Sequence, residues 1–193
     1  MIPTACGILA GGASTRMRRN KALLPFRGKP LIRHQLDLLQ PLFTEVLISA
    51  NNPATYAGLD IRVVPDVFAE PCSLSGIHAL LEAVTAPRLF VVACDMPFLN
   101  RDLIRRMLDV PGDFDVIVPE TEYGLEPLHA IYARTCLPAI ERSAKARRWK
   151  ISDFYEGLWV DQMTVRTGEW LVEGRSPFLN ANTPDQWHDT APE

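Results

Sequence analysis

A single α/β domain, doubly wound around a mostly parallel sheet, is the fold this sequence predicts, and three observations carry the prediction. Short apolar runs alternate with stretches of helical periodicity, the rhythm of strand–helix–strand crossovers. One run, Arg88–Cys94 (Arg-Leu-Phe-Val-Val-Ala-Cys), is almost continuously apolar, as a strand covered on both faces must be. The chain has 193 residues, 47% hydrophobic and 22% charged, enough for one ordinary domain and short for two.

The elements follow in order. Thr4–Ala10 reads as the first strand, and Gly11–Arg19 as a glycine-rich loop after it. Pro30 suits the first turn of a helix whose Ile32, Leu36, Leu39 and Phe43 recur at helical spacing. Glu45–Ala50 is a second strand and Ile61–Val64 a short third. Ser75 is placed to cap a helix with Ile77, Leu80, Leu81 and Val84 on one face. Arg88–Cys94 is then the central parallel strand. It ends at Asp95; Pro97 breaks the chain, and Asn100 caps a helix bearing Leu103, Ile104, Met107 and Leu108. Val116–Val118, Leu128–Ala133 and Leu158–Val165 are further strands, with helical sequence between the last two and a short helix after Pro184.

Charge is unevenly distributed. Residues 1–36 hold seven basic side chains (Arg16, Arg18, Arg19, Lys21, Arg27, Lys29, Arg33) and no acidic one. The rest holds 13 Lys and Arg against all 23 Asp and Glu, a net −10. A local basic cluster on an acidic chain points to a discrete anion site rather than a surface that coats nucleic acid, with a solvated basic face as the alternative. Apolar runs fall short of the ~18–20 residues that span a bilayer, and the first residues lack a secretory pattern. Cys6, Cys72, Cys94 and Cys136 are widely spaced, which predicts neither a disulfide frame nor a zinc site and suits a reducing cytoplasm.

Ligands of open α/β sheets bind beyond the carboxyl ends of the strands. Three segments stand there: the loop after the first strand, Asn51–Asn52 after the second, and Asp95 after the central one. Gly11 and Gly12 lack a Cβ, so successive backbone N–H groups can form an anion-binding concavity to which Arg16 and Lys21 add charge. A polyphosphate is the natural occupant and a plain turn the alternative, since neither a Walker loop nor a dinucleotide fingerprint is present. Asp95 has two readings: a carboxylate that bonds neighbouring loop N–H groups, or one that holds Mg²⁺ beside substrate phosphates.

The run Leu9-Ala10-Gly11-Gly12-x-Ser14-x-Arg16-Met17, followed by Lys21-x-Leu23-Leu24-Pro25-Phe26-x-Gly28-Lys29-Pro30-Leu31, resembles the opening of nucleotidyltransferases that activate sugars and cofactors. Ala50-Asn51, Pro65-Asp66, Ser75-Gly76-Ile77, Cys94-Asp95-Met96-Pro97-Phe98, Glu126-Pro127-Leu128 and Phe178-x-Asn180-x-Asn182-Thr183-Pro184 extend the likeness to the molybdenum cofactor guanylyltransferases, the MobA family. The resemblance implies a Rossmann-like nucleotidyltransferase fold spanning 1–193, with a nucleotide-binding half (1–110) and an acceptor, pterin-binding half (111–193). It implies GTP and molybdopterin as substrates, pyrophosphate as a product and Mg²⁺ as cofactor. Other cofactor-biosynthesis proteins or acceptor molybdoenzymes would be further partners, with no nucleic acid and no membrane.

Carried over residue by residue, the likeness assigns nucleotide binding to Leu9, Ala10, Gly11, Gly12, Lys21, Asn51, Asp66 and Asp95. It assigns catalysis to Lys21, Arg16 and Asp95, the metal to Asp95, and the pterin side to Asn180 and Asn182. His129, on a strand expected to face the site, is a further pterin candidate, whereas His34 and His78 fall on amphipathic helices and read as structural. The chain departs from the family where Arg18 replaces a usual glycine, Asn20 a usual aspartate, and Cys72-Ser73-Leu74 a usual Gly-Pro-Leu. A cytidylyltransferase, a sugar-phosphate nucleotidyltransferase of the same fold, and a nucleotide-binding protein without turnover are the alternatives.

Overall fold

In the computed structural model, which describes residues 2–11, 20–70 and 72–181, the strand–helix rhythm is realised from the first apolar run onward. β1 (Thr4–Leu9) is followed by a 3-10 turn at Lys21–Leu23, a hairpin of β2 (Pro25–Phe26) and β3 (Lys29–Pro30), and α1 (Leu31–Leu39). Next come β4 (Val46–Ser49), a 3-10 segment at Pro53–Leu59, β5 (Arg62–Val64), α2 (Ser73–Ala83), β6 (Arg88–Ala93) and α3 (Arg101–Leu108). The remainder is β7 (Val116–Thr121), β8 (Gly124–Leu125), β9 (His129–Ala133), α4 (Leu137–Lys145) and β10 (Val160–Thr164). The helix expected after Pro184 lies outside the described residues.

The main sheet runs β10-β7-β9-β6-β1-β4-β5, with β8 paired to β7. β1 is parallel to both β4 and β6, β5 is parallel to β4, and β10 is parallel to β7. β9 is antiparallel to β6 and to β7. The central apolar strand therefore has one parallel and one antiparallel neighbour. Its six residues are all buried because helices cover both faces of the sheet.

Alternation along the strands divides the core in two. Cys6, Ile8, Phe90 and Val92 pack with Ile32, Leu36 and Leu39 of α1 and Leu103, Ile104 and Met107 of α3. Ala5, Leu47, Leu89 and Val91 pack with Ile77, Leu80 and Leu81 of α2 and Ala139 and Ile140 of α4. The register leaves the carboxyl ends level: Leu9 lies opposite both Ser49 and Ala93, and Ser49 opposite Val64. Ala10, Ala50, Pro65 and Cys94 consequently leave the sheet along one edge, and Glu126-Pro127-Leu128 enters it there because β9 runs the other way.

Two caps test the sequence reading. Asn100 caps α3, its side chain accepting from the N–H groups of Asp102 and Leu103. Ser75 does not cap α2. The helix begins earlier, at Ser73, and the Ser75 hydroxyl accepts instead from the backbone N–H of Phe68 at 3.0 Å. Gly76, the next residue, lets α2 come close to the sheet: a Cβ there would lie 2.7 Å from Leu9 Cδ2 and 2.8 Å from Ser49 Oγ.

Candidate active site

Lys21 and Asp95 meet at the carboxyl edge. Lys21 enters the 3-10 turn that follows the basic segment, where Asn20 Oδ1 accepts from the N–H of Ala22 at 3.0 Å. Asp95 stands on the tight turn after β6. The Lys21 ammonium donates to Asp95 Oδ2 at 3.0 Å, with the two side chains 17% and 16% exposed. A pair sheltered to this degree keeps much of its Coulomb attraction yet stays within reach of an incoming ligand.

The turn that carries Asp95 is held from three sides. Gln35, completely buried on α1, donates its amide to the carbonyls of Ala93 and Met96, both at 2.9 Å. The N–H of Cys94 donates to Leu9 O at 3.0 Å, tying the turn to the end of β1. The N–H of Ala181 donates to Asp95 O at 3.0 Å and brings Asn180 to the same neighbourhood. Asn180 Oδ1 is buried there without a hydrogen-bond partner among the described residues, an acceptor whose desolvation a ligand donor would offset.

A second group lies across β1. Asp66 accepts from Ser49 Oγ at 2.9 Å through Oδ1 and from Asn51 Nδ2 at 3.1 Å through Oδ2, and its N–H donates to Asn51 Oδ1 at 2.9 Å. Gly11 adjoins this pair, since a Cβ built on it would come 3.7 Å from Asp66 Oδ2. Ala10 donates to Ser49 O at 2.9 Å and Leu9 is buried in the sheet. Of the nucleotide candidates, Leu9, Ala10, Gly11, Asn51 and Asp66 thus share one edge with Lys21 and Asp95. Gly12, Arg16 and Asn182 lie outside the described residues.

His129 is the candidate that the structure moves off the site surface. The strand was expected to turn it towards the ligand side. Instead the alternation of β9 sets it opposite Val92, wholly buried, with its ring edge-on to Phe90 at 5.0 Å and to Phe178 at 5.1 Å. Neither ring nitrogen has a hydrogen-bond partner among the described residues, and burial pushes its pKa down to about 3, so the ring is neutral at physiological pH. The two helical histidines match the structural reading: His78 is buried on α2 beside Glu82 and Glu141, and His34 packs edge-on against Phe26 at 4.8 Å; His188 lies outside the described residues.

Sequence reasoning left three contributors without a role. Gln35 sits inside the apolar stripe of α1, and only a polar residue at a core position hints at it. Ser49 ends a strand and looks like any strand terminus. Glu126, in the segment entering β9, is half-buried, and desolvation pushes its pKa up to about 7. A carboxyl group of that kind at the edge that holds the site is a functional candidate on physical grounds.

Lys21, the carboxylates of Asp95 and Asp66 and the ends of β1, β4 and β6 lie along one carboxyl edge, the place where open α/β domains of this class hold their ligands. Residues 6–158 match the family described as MobA-like NTP transferase domain, and the chain belongs to that family. A probable molybdenum cofactor guanylyltransferase of Pelotomaculum thermopropionicum is 40% identical over 92% of this chain and 86% of its own length. The molybdenum cofactor guanylyltransferase of Desulfosudis oleivorans is 34% identical, covering 93% and 90%. Among solved structures, the molybdopterin-guanine dinucleotide biosynthesis protein A of Archaeoglobus fulgidus superposes with a TM-score of 0.78 at 24% identity, covering 97% and 96%, a likeness of fold.

Proposed function

We propose that this chain is a molybdenum cofactor guanylyltransferase that moves GMP from GTP to the terminal phosphate of molybdopterin or its metal-loaded form and releases pyrophosphate. The observation that carries the reading is the Lys21–Asp95 pair at 3.0 Å on an edge shared with Asn51, Asp66 and the end of β1. Relatives of that name, 30–40% identical over most of the chain, support the choice of base and acceptor. The nucleotide half is residues 1–110 and the acceptor half 111–193.

The chemistry asks little of a protein base. A phosphate monoester is already ionised at neutral pH and can attack the α-phosphorus in line, so the protein contributes position and charge. Lys21 neutralises phosphate oxygens, and Arg16 adds a second cation. The Asn51–Asp66 pair and the backbone of Leu9, Ala10, Gly11 and Gly12 hold the nucleoside end. Asn180 and Asn182 meet the pterin, with Asn180 Oδ1 as the acceptor awaiting a donor.

The donor set at Asp95 fits magnesium, a hard cation that takes one or two carboxylates and completes its shell with water and substrate phosphate oxygens. Asp95 would hold it, and the ion would supply Lewis-acid polarisation of the attacked phosphoryl group. The Lys21 ammonium, 3.0 Å from Asp95 Oδ2, balances the charge of that carboxylate.

Nucleotide-by-acceptor profiling in the presence of Mg²⁺ tests the proposal. Pyrophosphate should appear from GTP only when molybdopterin is supplied. Equal turnover with CTP, or with a sugar phosphate as acceptor, would sink it. GTP binding with no pyrophosphate under any acceptor would identify a carrier instead.

A further inference from the structure

Tyr56 belongs to none of the motifs, yet it joins the two described ends of the basic segment. It lies in the 3-10 segment Pro53–Leu59, with its ring in the core and only 2% of the residue exposed. Its hydroxyl accepts from Asn20 Nδ2 at 3.0 Å and donates to Ala10 O at 3.3 Å. Burial pushes the phenol's pKa up, so the proton that reaches Ala10 stays on the oxygen.

The direction of this chain of bonds follows from its first member. Asn20 Oδ1 is already occupied as the acceptor for the Ala22 N–H, which leaves the amide nitrogen to face Tyr56 and makes it the donor. Because Asn20 donates, the Tyr56 hydroxyl is released to donate onward to Ala10. An aspartate at position 20 would still cap Ala22. It would offer Tyr56 only an acceptor, take the phenol proton, and leave Ala10 O without it.

We propose that Tyr56 is a positioning residue of the nucleotide site, whose hydroxyl clamps Ala10 to Asn20 and so holds the end of β1 in register with Lys21. Asn20 is the half of the clamp that makes the other half possible. The departure from aspartate is a change of hydrogen-bond polarity, not a loss. This inference rests on the guanylyltransferase reading, and its test separates the two.

The test uses the whole chain with Mg²⁺, titration calorimetry with GTP, and steady-state kinetics. Its variants are Tyr56→Phe, which keeps the ring in the core, Asn20→Asp, which keeps the cap, and the double variant. Tyr56→Phe should raise both Kd and KM for GTP about five- to tenfold, the scale of one lost hydrogen bond in a sheltered network, with kcat within about twofold of wild type. Asn20→Asp should shift Kd in the same direction, and the double variant should bind no more weakly than Tyr56→Phe, since both changes break one chain. A purely structural tyrosine would lower Tm and leave Kd unmoved at temperatures well below it. An unchanged Kd in Tyr56→Phe, or fully additive losses in the double variant, would overturn the clamp while wild-type GTP binding keeps the enzyme reading. Wild-type protein that binds no GTP would overturn both.

Discussion

Lys21 and Asp95 stand 74 residues apart in the chain and 3.0 Å apart in the fold, and each is the other's counter-charge until a ligand arrives. Their separate substitutions should therefore behave differently. Asp95→Asn keeps a hydrogen-bond acceptor for Lys21 and removes the anion; turnover should fall at least about a hundredfold, the usual scale for losing a charge at the reacting centre, while the Kd for GTP changes by a few-fold. Rapid-quench measurement of pyrophosphate release beside calorimetry separates the two effects.

His129 makes a prediction of another kind. Its pKa is held at about 3 in the folded chain against an ordinary 6.5. Between those values the unfolded chain binds the proton and the folded one does not. The corresponding stability is complete above about pH 6.5 and is lost as the pH falls towards 3. His129→Leu should flatten that acid limb in urea titrations and leave stability at pH 7 within about 1 kcal/mol of wild type. Glu126 works in the opposite sense. Its raised pKa means that its contribution is present below about pH 4.5 and lost as the pH rises through about 7.

At the scale of elements, the site is positioned by close approaches that propensities do not encode. The N-terminal turn of α2 lies over Ser49 because Gly76 has no side chain, and Ser49 is the residue that orients Asp66. Gly76→Ala should therefore cost about 1–3 kcal/mol through displacement of Leu9 and Ser49, measurable as a lower urea midpoint. It should also weaken GTP binding by disturbing Asp66. Gln35 plays the comparable part on α1. Replacing it with leucine takes the buried amide donor away from the carbonyls of Met96 and of Ala93, the latter keeping only the N–H of Met96 at 3.4 Å, at a cost of about 1–3 kcal/mol. The turn bearing Asp95 would loosen with them, so Gln35→Leu should lower both Tm and kcat.

The same scale shows why the sequence reading succeeded where it did. The stripe Ile32–Leu36–Leu39, the face Ile77–Leu80–Leu81 and the unbroken run of β6 were legible because burial imposes a period on sequence. The start of α2 lies three residues before the one the sequence suggests, with Cys72 and not Ser75 at the cap position. A serine near a helix start satisfies an N–H whether that N–H belongs to its own helix or, as with Phe68, to the loop before it. His129 was misplaced because alternation along a strand does not say which face is solvent until the neighbouring strands and helices are set.

For the whole molecule, the basic first 36 residues separate into roles. Lys21 stands at the edge beside Asp95, whereas Arg27 pairs with Glu173 and Lys29 with Asp37 on the exposed surface. Exposed pairs of that kind contribute little to stability and are screened by salt. Among the described residues no helix is long and apolar enough to cross a membrane. If the edge binds GTP in the folded state alone, GTP at about 100 times its Kd should add about 2.7 kcal/mol to the unfolding free energy. Tm should then climb with the logarithm of concentration. Asp95→Asn should retain most of that rise and Lys21→Met should lose it, an outcome differential scanning calorimetry can read.

By itself the sequence determined the fold class, the order of most strands and helices, and the residue types that stand at the strand ends: glycines and cations after the first strand, a carboxylate after the central one. Those properties are written locally, in period, in punctuation and in residue type at strand ends. Only the tertiary structure decided that Lys21 meets Asp95, that Asn51 and Asp66 brace each other, that His129 belongs to the core, and that Tyr56 joins Asn20 to Ala10 while Gln35 holds the turn of Asp95. Each of those facts depends on the register between strands and on how closely a helix approaches them. Register and approach are set by packing over the whole domain, which no local stretch of sequence contains.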